Sequence, residues 1–130
     1  MNNNFVKALK PHLFILNQLF EIENKAKKIQ EQNSIIRNTD RLKNFFETEV
    51  FSEGIEYHGF SINGLFMLDP IGEAFNETRL DCEATITGDS HENLKIIDVI
   101  RPIIFAKTDN SQIIVQKGIV IVKSFMNIDL

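Results

Sequence analysis

A single cysteine, Cys82, excludes an internal disulfide and a thiol-rich metal site, and suits a reducing cytosol. Tryptophan is absent, so eleven phenylalanines carry much of the large apolar volume available to a core. A basic excess is absent too. The formal net charge is -4, whereas a nucleic-acid binder needs a basic patch to displace phosphate counterions. Lys25, Lys27 and Lys28 cluster in a stretch that reads as helix, where a solvated face accounts for them. Long apolar runs are missing: no stretch reaches the roughly 20 residues that span a bilayer. Residues 13–20 are broken by Asn17 and Gln18 and lack the cleavage site of a secretory signal. Together these absences predict a soluble cytoplasmic protein with no nucleic-acid or membrane partner.

Pro11 suits the first turn of a helix, and from there to residue 53 the chain has no further proline and no glycine. Two apolar rows have helical spacing: Leu9, Leu13, Leu16 and Phe20, and Ile15, Leu19, Ile22, Ala26 and Ile29. Their combined width predicts burial on two sides, in a bundle or against a second copy. Leu9, Leu13, Leu16, Leu19 and Phe20 are therefore expected at a homodimer interface. A turn near Asn33-Ser34 or Asn38-Thr39 closes a helical hairpin. Asn38 or Thr39 can cap the second helix, which carries Leu42, Phe45, Phe46, Val50 and Phe51. The polar residues 1–4 read as a frayed start.

The texture changes at Gly54. Gly54, Gly59, Gly64, Pro70 and Gly72 punctuate a short region, and β signals follow. Strands are expected at residues 64–68, at 82–87 before the turn 88–90, at 94–105 and at 113–122. Pro102 marks an edge or bulge in the third of these, and Lys117-Gly118 a bulge in the fourth. Residues 107–111 form a hairpin loop between the last two. The expected fold is α+β: a helical dimerisation hairpin over residues 1–53, then a small antiparallel β-rich head domain over residues 54–130.

Chemistry-bearing residues form no constellation. His12, His58 and His91 are too scattered for metal-ligand spacing and read as surface or interface histidines. Asp81, Cys82, Glu83 and His91 contain a nucleophile and a base. Yet Cys82 lies in an expected strand with no helix N-terminus or basic neighbour to lower its pKa, so a buried structural thiol is expected. Glu53, Glu56 and Glu73 make no spaced acid pair, and no glycine-rich loop leads into a helix to cradle phosphate. Asn76-Glu77-Thr78 fits the glycosylation sequon, which carries little weight where no signal peptide is read. The expectation is a binding protein, with no enzyme activity, metal, cofactor or small-molecule substrate.

The most informative stretch is Leu68-Asp69-Pro70-Ile71-Gly72-Glu73-Ala74-Phe75, an apolar strand end, an Asp-Pro turn, a glycine and a second apolar anchor. From Gly64 onward the chain resembles the head domain of GrpE, the nucleotide exchange factor of DnaK-type chaperones. That family shows Ile-Asp-Pro-x-Gly-Glu-x-Phe-Asp, then His-Glu-Ala, a Ser-Asp turn, a Val-Val-Glu-Val strand and a final Val-x-Val-x-Lys. Here Leu68 to Asn76, Glu83-Ala84, Gly88-Asp89, Ile96-Ile97-Asp98-Val99 and Ile119-Val120-Ile121-Val122-Lys123 follow in the same order. Earlier, Leu9-Lys10-Pro11-His12-Leu13 through Leu19 is similar to the end of the family's long dimerising helix. The departures are specific. Arg101-Pro102-Ile103-Ile104 replaces Gln-Lys-Gly-Tyr, Gln116-Lys117-Gly118 replaces Arg-Pro-Ala, Cys82 replaces the histidine, and Ile113 stands where an arginine faces the chaperone. The long coiled coil is lacking.

The resemblance implies a homodimeric co-chaperone of protein folding and the stress response, binding a DnaK-type chaperone and promoting ADP release. By motif position it implies partner contacts at Phe75, Ile100, Gln112, Ile113 and Val122, although Phe75 and Val122 also suit plain core packing. A GrpE-fold adaptor without exchange activity, serving assembly or secretion, is the alternative that the swapped motifs favour.

Overall fold

The computed structural model describes residues 3–29, 33–51, 55–57 and 60–125. Its elements are α1 (Asn3–Ala8), α2 (Lys10–Ala26), α3 (Asn33–Thr48), β1 (Ile55–Tyr57), β2 (Phe60–Leu68) and β3 (Ala74–Phe75). They continue as β4 (Cys82–Thr87), β5 (Leu94–Arg101), β6 (Ile103–Thr108), β7 (Gln112–Gln116) and β8 (Gly118–Ser124). The fold class is α+β, a short helical region followed by antiparallel-rich sheets. None of the described helices is long and apolar enough to cross a membrane. The expected border at residues 53–54 lies outside the described residues, as do Gly59 and His58.

Pro11 sets the first break. Lacking an N–H, it cannot bond the carbonyl four residues back, and the helix restarts after Leu9. Asn3 and Asn4 open α1, so the expected fraying does not extend to them. α3 starts at Asn33, well before the expected cap at Asn38 or Thr39. Thr39 lies mid-helix and buried, and its hydroxyl donates to the Ile36 carbonyl at 2.9 Å, so it caps nothing. α2 and α3 run antiparallel: His12 packs on Phe46 and Phe51 with ring centroids 6.2 and 5.0 Å apart, and Lys43 Nζ reaches Glu23 Oε2 at 2.8 Å. His12, expected at the surface or an interface, is half-buried among aromatic rings between the two helices.

One compact unit comprises Met1–Met67 and Ile104–Val115. Its core joins Leu9, Leu13, Leu16 and Leu19 to Phe46, Phe51, Ile62, Leu65, Ile104, Ala106 and Val115. This corrects the assignment of Leu9, Leu13, Leu16, Leu19 and Phe20 to a dimer interface. All five are buried within the single chain, because the β strands supply the second side that their wide apolar face requires. The sheet here has the order β1-β2-β6-β7. The expected hairpin joins β6 to β7, closed by the Thr108 N–H donating to the Ser111 carbonyl at 2.8 Å.

The second unit comprises Leu68–Ile103 and Gln116–Leu130, with sheet order β3-β5-β8-β4. Two expected long strands are each divided. Pro102, unable to donate to a ladder, separates β5 from β6, and Lys117 separates β7 from β8; at each point the chain changes sheet. A buried hydrogen bond from Gln116 Nε2 to the Pro102 carbonyl, 3.0 Å, ties the two crossing points together. The sheet is not wholly antiparallel as expected. β8 inserts between β4 and β5, and being antiparallel to β5 it runs parallel to β4.

Candidate partner-binding face

β5 begins as an ordinary half-buried strand, with Leu94 and Ile96 inward and Lys95 outward. Alternation then fails twice. Ile96 faces Val122 but Asp98 faces Ile121, and Val99 faces Val120 but Arg101 faces Ile119. Each shift inserts one extra residue, a β-bulge, which puts two neighbouring side chains on the same side. Ile97, Asp98, Ile100 and Arg101 are all exposed as a result, and only Val99 between them is buried. Ile97 is 42% and Ile100 56% exposed.

The ladder registers order this outer face in rows. Ala74, Lys95, Lys123 and Thr87 form the first; Ile97 and Asp98 with Ile121 and Thr85 the second; Ile100 and Arg101 with Ile119 and Glu83 the third. Ile119 and Ile121 are half-buried. The centre is therefore four isoleucines, with Lys95 and Lys123 at one end and Arg101 and Glu83 at the other. Beside the lysine end an open cavity of about 340 Å³ is lined by Ala74, Asn93, Leu94, Lys95 and Phe125.

The Asp-Pro turn serves this face structurally. The Asp69 carboxylate accepts from the Ile71 N–H at 3.1 Å, and the Glu73 N–H donates to the Pro70 carbonyl. Gly72 takes φ 84° in that turn, where a side chain would be strained. The Gly72 N–H then donates to the Ile96 carbonyl, and the Ile96 N–H to the Glu73 carbonyl, both at 2.9 Å, which secures the turn to β5. Arg79 holds the following loop. Its guanidinium bonds Asp81 Oδ1 at 2.7 Å, Glu73 Oε1 at 2.7 Å and the Ala74 carbonyl at 3.0 Å. Burial pushes the Asp81 carboxyl up, but the Arg79 hydrogen bond and charge outweigh it, and the net direction is down.

Of the expected contact residues, Ile100 lies on this face. Phe75 is half-buried and pairs with the inward Leu94, on the other side of the sheet. Val122 is 0% exposed, so it belongs to the core and not to a contact; its neighbours Ile119 and Ile121 occupy the outer side. Gln112, exposed, and Ile113, half-buried, lie on β7 in the other sheet. Ile97, Ile121, Lys95 and Lys123 were missed. The signal was the doubled apolar step Ile96-Ile97 and Val99-Ile100, which breaks a period of two. Cys82 is buried, and burial, with Asp81 adding to it, pushes its thiol up to about 11, as a structural role requires.

No protein-family model, curated protein or solved structure matches the chain.

Proposed function

We propose that the chain is a divergent, shortened GrpE-like protein. It binds the ATPase domain of a DnaK-type chaperone through the outer face of β5, β8 and β4 and promotes ADP release. The observation that carries this reading is the doubly bulged β5, on which Ile97 and Ile100 lie outward with Asp98 and Arg101, beside Ile119 and Ile121. An apolar centre with a charged rim suits a protein surface, and it includes Ile100, one of the positions that the resemblance assigns to the chaperone contact. The mechanism is differential affinity. A face that binds the open ATPase domain more tightly than the closed one shifts the population towards the ADP-releasing state. A tenfold acceleration requires about 1.4 kcal/mol of such preference. Stopped-flow release of a fluorescent ADP analogue from the chaperone should accelerate and saturate with added protein. No acceleration at saturation overturns the reading.

Ile113, which the resemblance aligns with a chaperone-facing arginine, favours a second reading. There the face grips a partner without driving exchange. Calorimetric binding of the ATPase domain without faster ADP release selects this adaptor role.

Dimerisation belongs to the same proposal, but through a different surface from the one first expected. Ile15 and Ile22 lie seven residues apart along an exposed flank of α2, exposed Ile29 follows its end, and Leu42 and Phe45 form an exposed stripe on α3. On α3, helical geometry puts Leu42 and Phe45 on the side opposite Glu47, whose backbone approaches Gly64. Exposed Lys25 and Glu49 rim opposite ends, so a two-fold axis sets each near the partner's opposite charge. Sedimentation should show a dimer at micromolar concentration, and Ile22→Asp a monomer. A wild-type monomer at high micromolar concentration refutes this part.

A further inference from the structure

Lys95 and Lys123 stand directly opposite each other in the β5–β8 ladder. Like charges in that position oppose each other and weaken the pair. Among the described residues neither lysine has a carboxylate partner, and Asp89 and Glu92 in the adjoining loop pair with neither. Lys95 Nζ is instead held 4.6 Å from the centroid of the Phe125 ring, at the mouth of the 340 Å³ cavity. Phe125 is itself 53% exposed, and its N–H donates to the carbonyl of Asn93, which is fixed at φ 52°. Lys95 and an aromatic edge thus border one open cavity at the end of an apolar face, with Lys123 directly across the ladder from Lys95.

We infer that the Lys95–Lys123 end is the docking point for an acidic segment of a protein partner, a side-chain carboxylate settling against this cross-strand lysine pair beside the cavity. The inference rests on the reading of this face as partner-binding. An approaching carboxylate relieves the cross-strand repulsion, which supplies a reason for the pair that the isolated chain lacks. A nucleic-acid backbone fits less well. Asp98 and Glu83 lie one and two rows away, and a polyanion tracking the face meets both. A protein surface can match the lysines, the isoleucine centre and the Arg101–Glu83 end in turn.

The test uses the full chain at low salt with three probes: a labelled hexaglutamate peptide, inorganic phosphate, and an oligothymidylate of matched charge. Amide chemical shifts and anisotropy should show hexaglutamate bound at Lys95, Lys123 and Phe125, and roughly fivefold or more weaker binding to Lys95→Gln and Lys123→Gln. Both variants should unfold at a denaturant concentration no lower than wild type, since each removes the repulsion. Preference for oligothymidylate or phosphate over hexaglutamate overturns the inference, as does binding that the substitutions leave unchanged. The chaperone ATPase domain separates this from the functional reading. Lysine-dependent hexaglutamate binding with no chaperone binding keeps the inference and removes the chaperone. Chaperone binding indifferent to both lysines does the reverse.

Discussion

Gly64 allows a sharp test of how the helical region is built onto β2. A Cβ at this position would lie 2.1 Å from the Glu47 carbonyl oxygen and 2.9 Å from its carbon. Glu47 belongs to the last turn of α3, where carbonyls lack intrahelical partners. Both colliding groups are backbone, so no rotamer change relieves the clash. The helix end must move away by roughly 1 Å, which disturbs the neighbouring Phe46 and Leu65 in a close-packed core. Overpacking of this kind costs about 1–3 kcal/mol, and a rigid obstacle belongs at the upper end. Alanine's better strand propensity returns about 0.5–1 kcal/mol. Gly64→Ala should therefore destabilise by about 2 kcal/mol, which lowers a urea midpoint by about 1–1.5 M at the slope of a small protein. Far-UV circular dichroism reads this directly. Gly72→Ala is the control: nothing lies within 4 Å of its added carbon, and only the positive φ opposes it, at about 1 kcal/mol. A Gly64→Ala midpoint equal to wild type, or above that of Gly72→Ala, refutes the argued approach of α3 to β2.

Three further outcomes follow from the same coordinates. Ile100→Ala should change stability by no more than about 0.5 kcal/mol while weakening chaperone binding at least tenfold; Val122→Ala should cost about 1–3 kcal/mol in urea unfolding, and the reverse ranking removes Ile100 from the face. Asp81 has a folded pKa below its unfolded one, so its contribution through Arg79 is full above the ordinary carboxylate value of 3.8 and is lost as pH falls through the lower folded value. The urea-midpoint gap between wild type and Arg79→Met should accordingly hold from pH 7 to about pH 5 and shrink below pH 4; a gap that widens on acidification contradicts the ion pair. Native Cys82, its pKa pushed up to about 11, should resist iodoacetamide at pH 7.5 and react promptly once urea unfolds the chain, whereas rapid labelling of the folded protein shows an accessible thiolate.

The elements that were legible in the sequence are those set by local chemistry. Residues 82–87, the 107–111 hairpin and the turn at Gly72 depend on alternation and on residues whose backbone preferences leave few options. The elements that were misread depend on distant parts of the chain. Thr39 looks like a cap because threonine often is one, yet the apolar rows of α3 start earlier and carry the helix through it. Pro102 and Lys117 were read as irregularities within single strands. Local sequence shows that a ladder stops there but not that the chain leaves for another sheet, which depends on where β8 inserts. The leucines of α2 show the same limit: periodicity reveals a wide apolar face but not whether a second copy or the chain's own strands cover it.

The outer face of β5 was least legible, and the reason bears on the proposal made for it. Reading β5 by strict alternation sends Ile97 and Val99 to one side and Ile96, Asp98 and Ile100 to the other, which would bury a carboxylate. Two bulges resolve this by keeping Ile96 and Val99 inside and sending Ile97, Asp98, Ile100 and Arg101 out. Expelling Asp98 alone needs only the first bulge. The second places Arg101 outside beside Ile100, which the first has already turned outward, and it does so by interrupting the ladder again. An isoleucine left on the surface forgoes about 1.5–3 kcal/mol that burial would contribute. Nothing in the unit recovers that stability, since Ile97 and Ile100 stay exposed. The bulges keep the charges of Asp98 and Arg101 in water, and the isoleucines beside them gain the stability of burial only when another surface covers them, which favours a partner over solvent on this face.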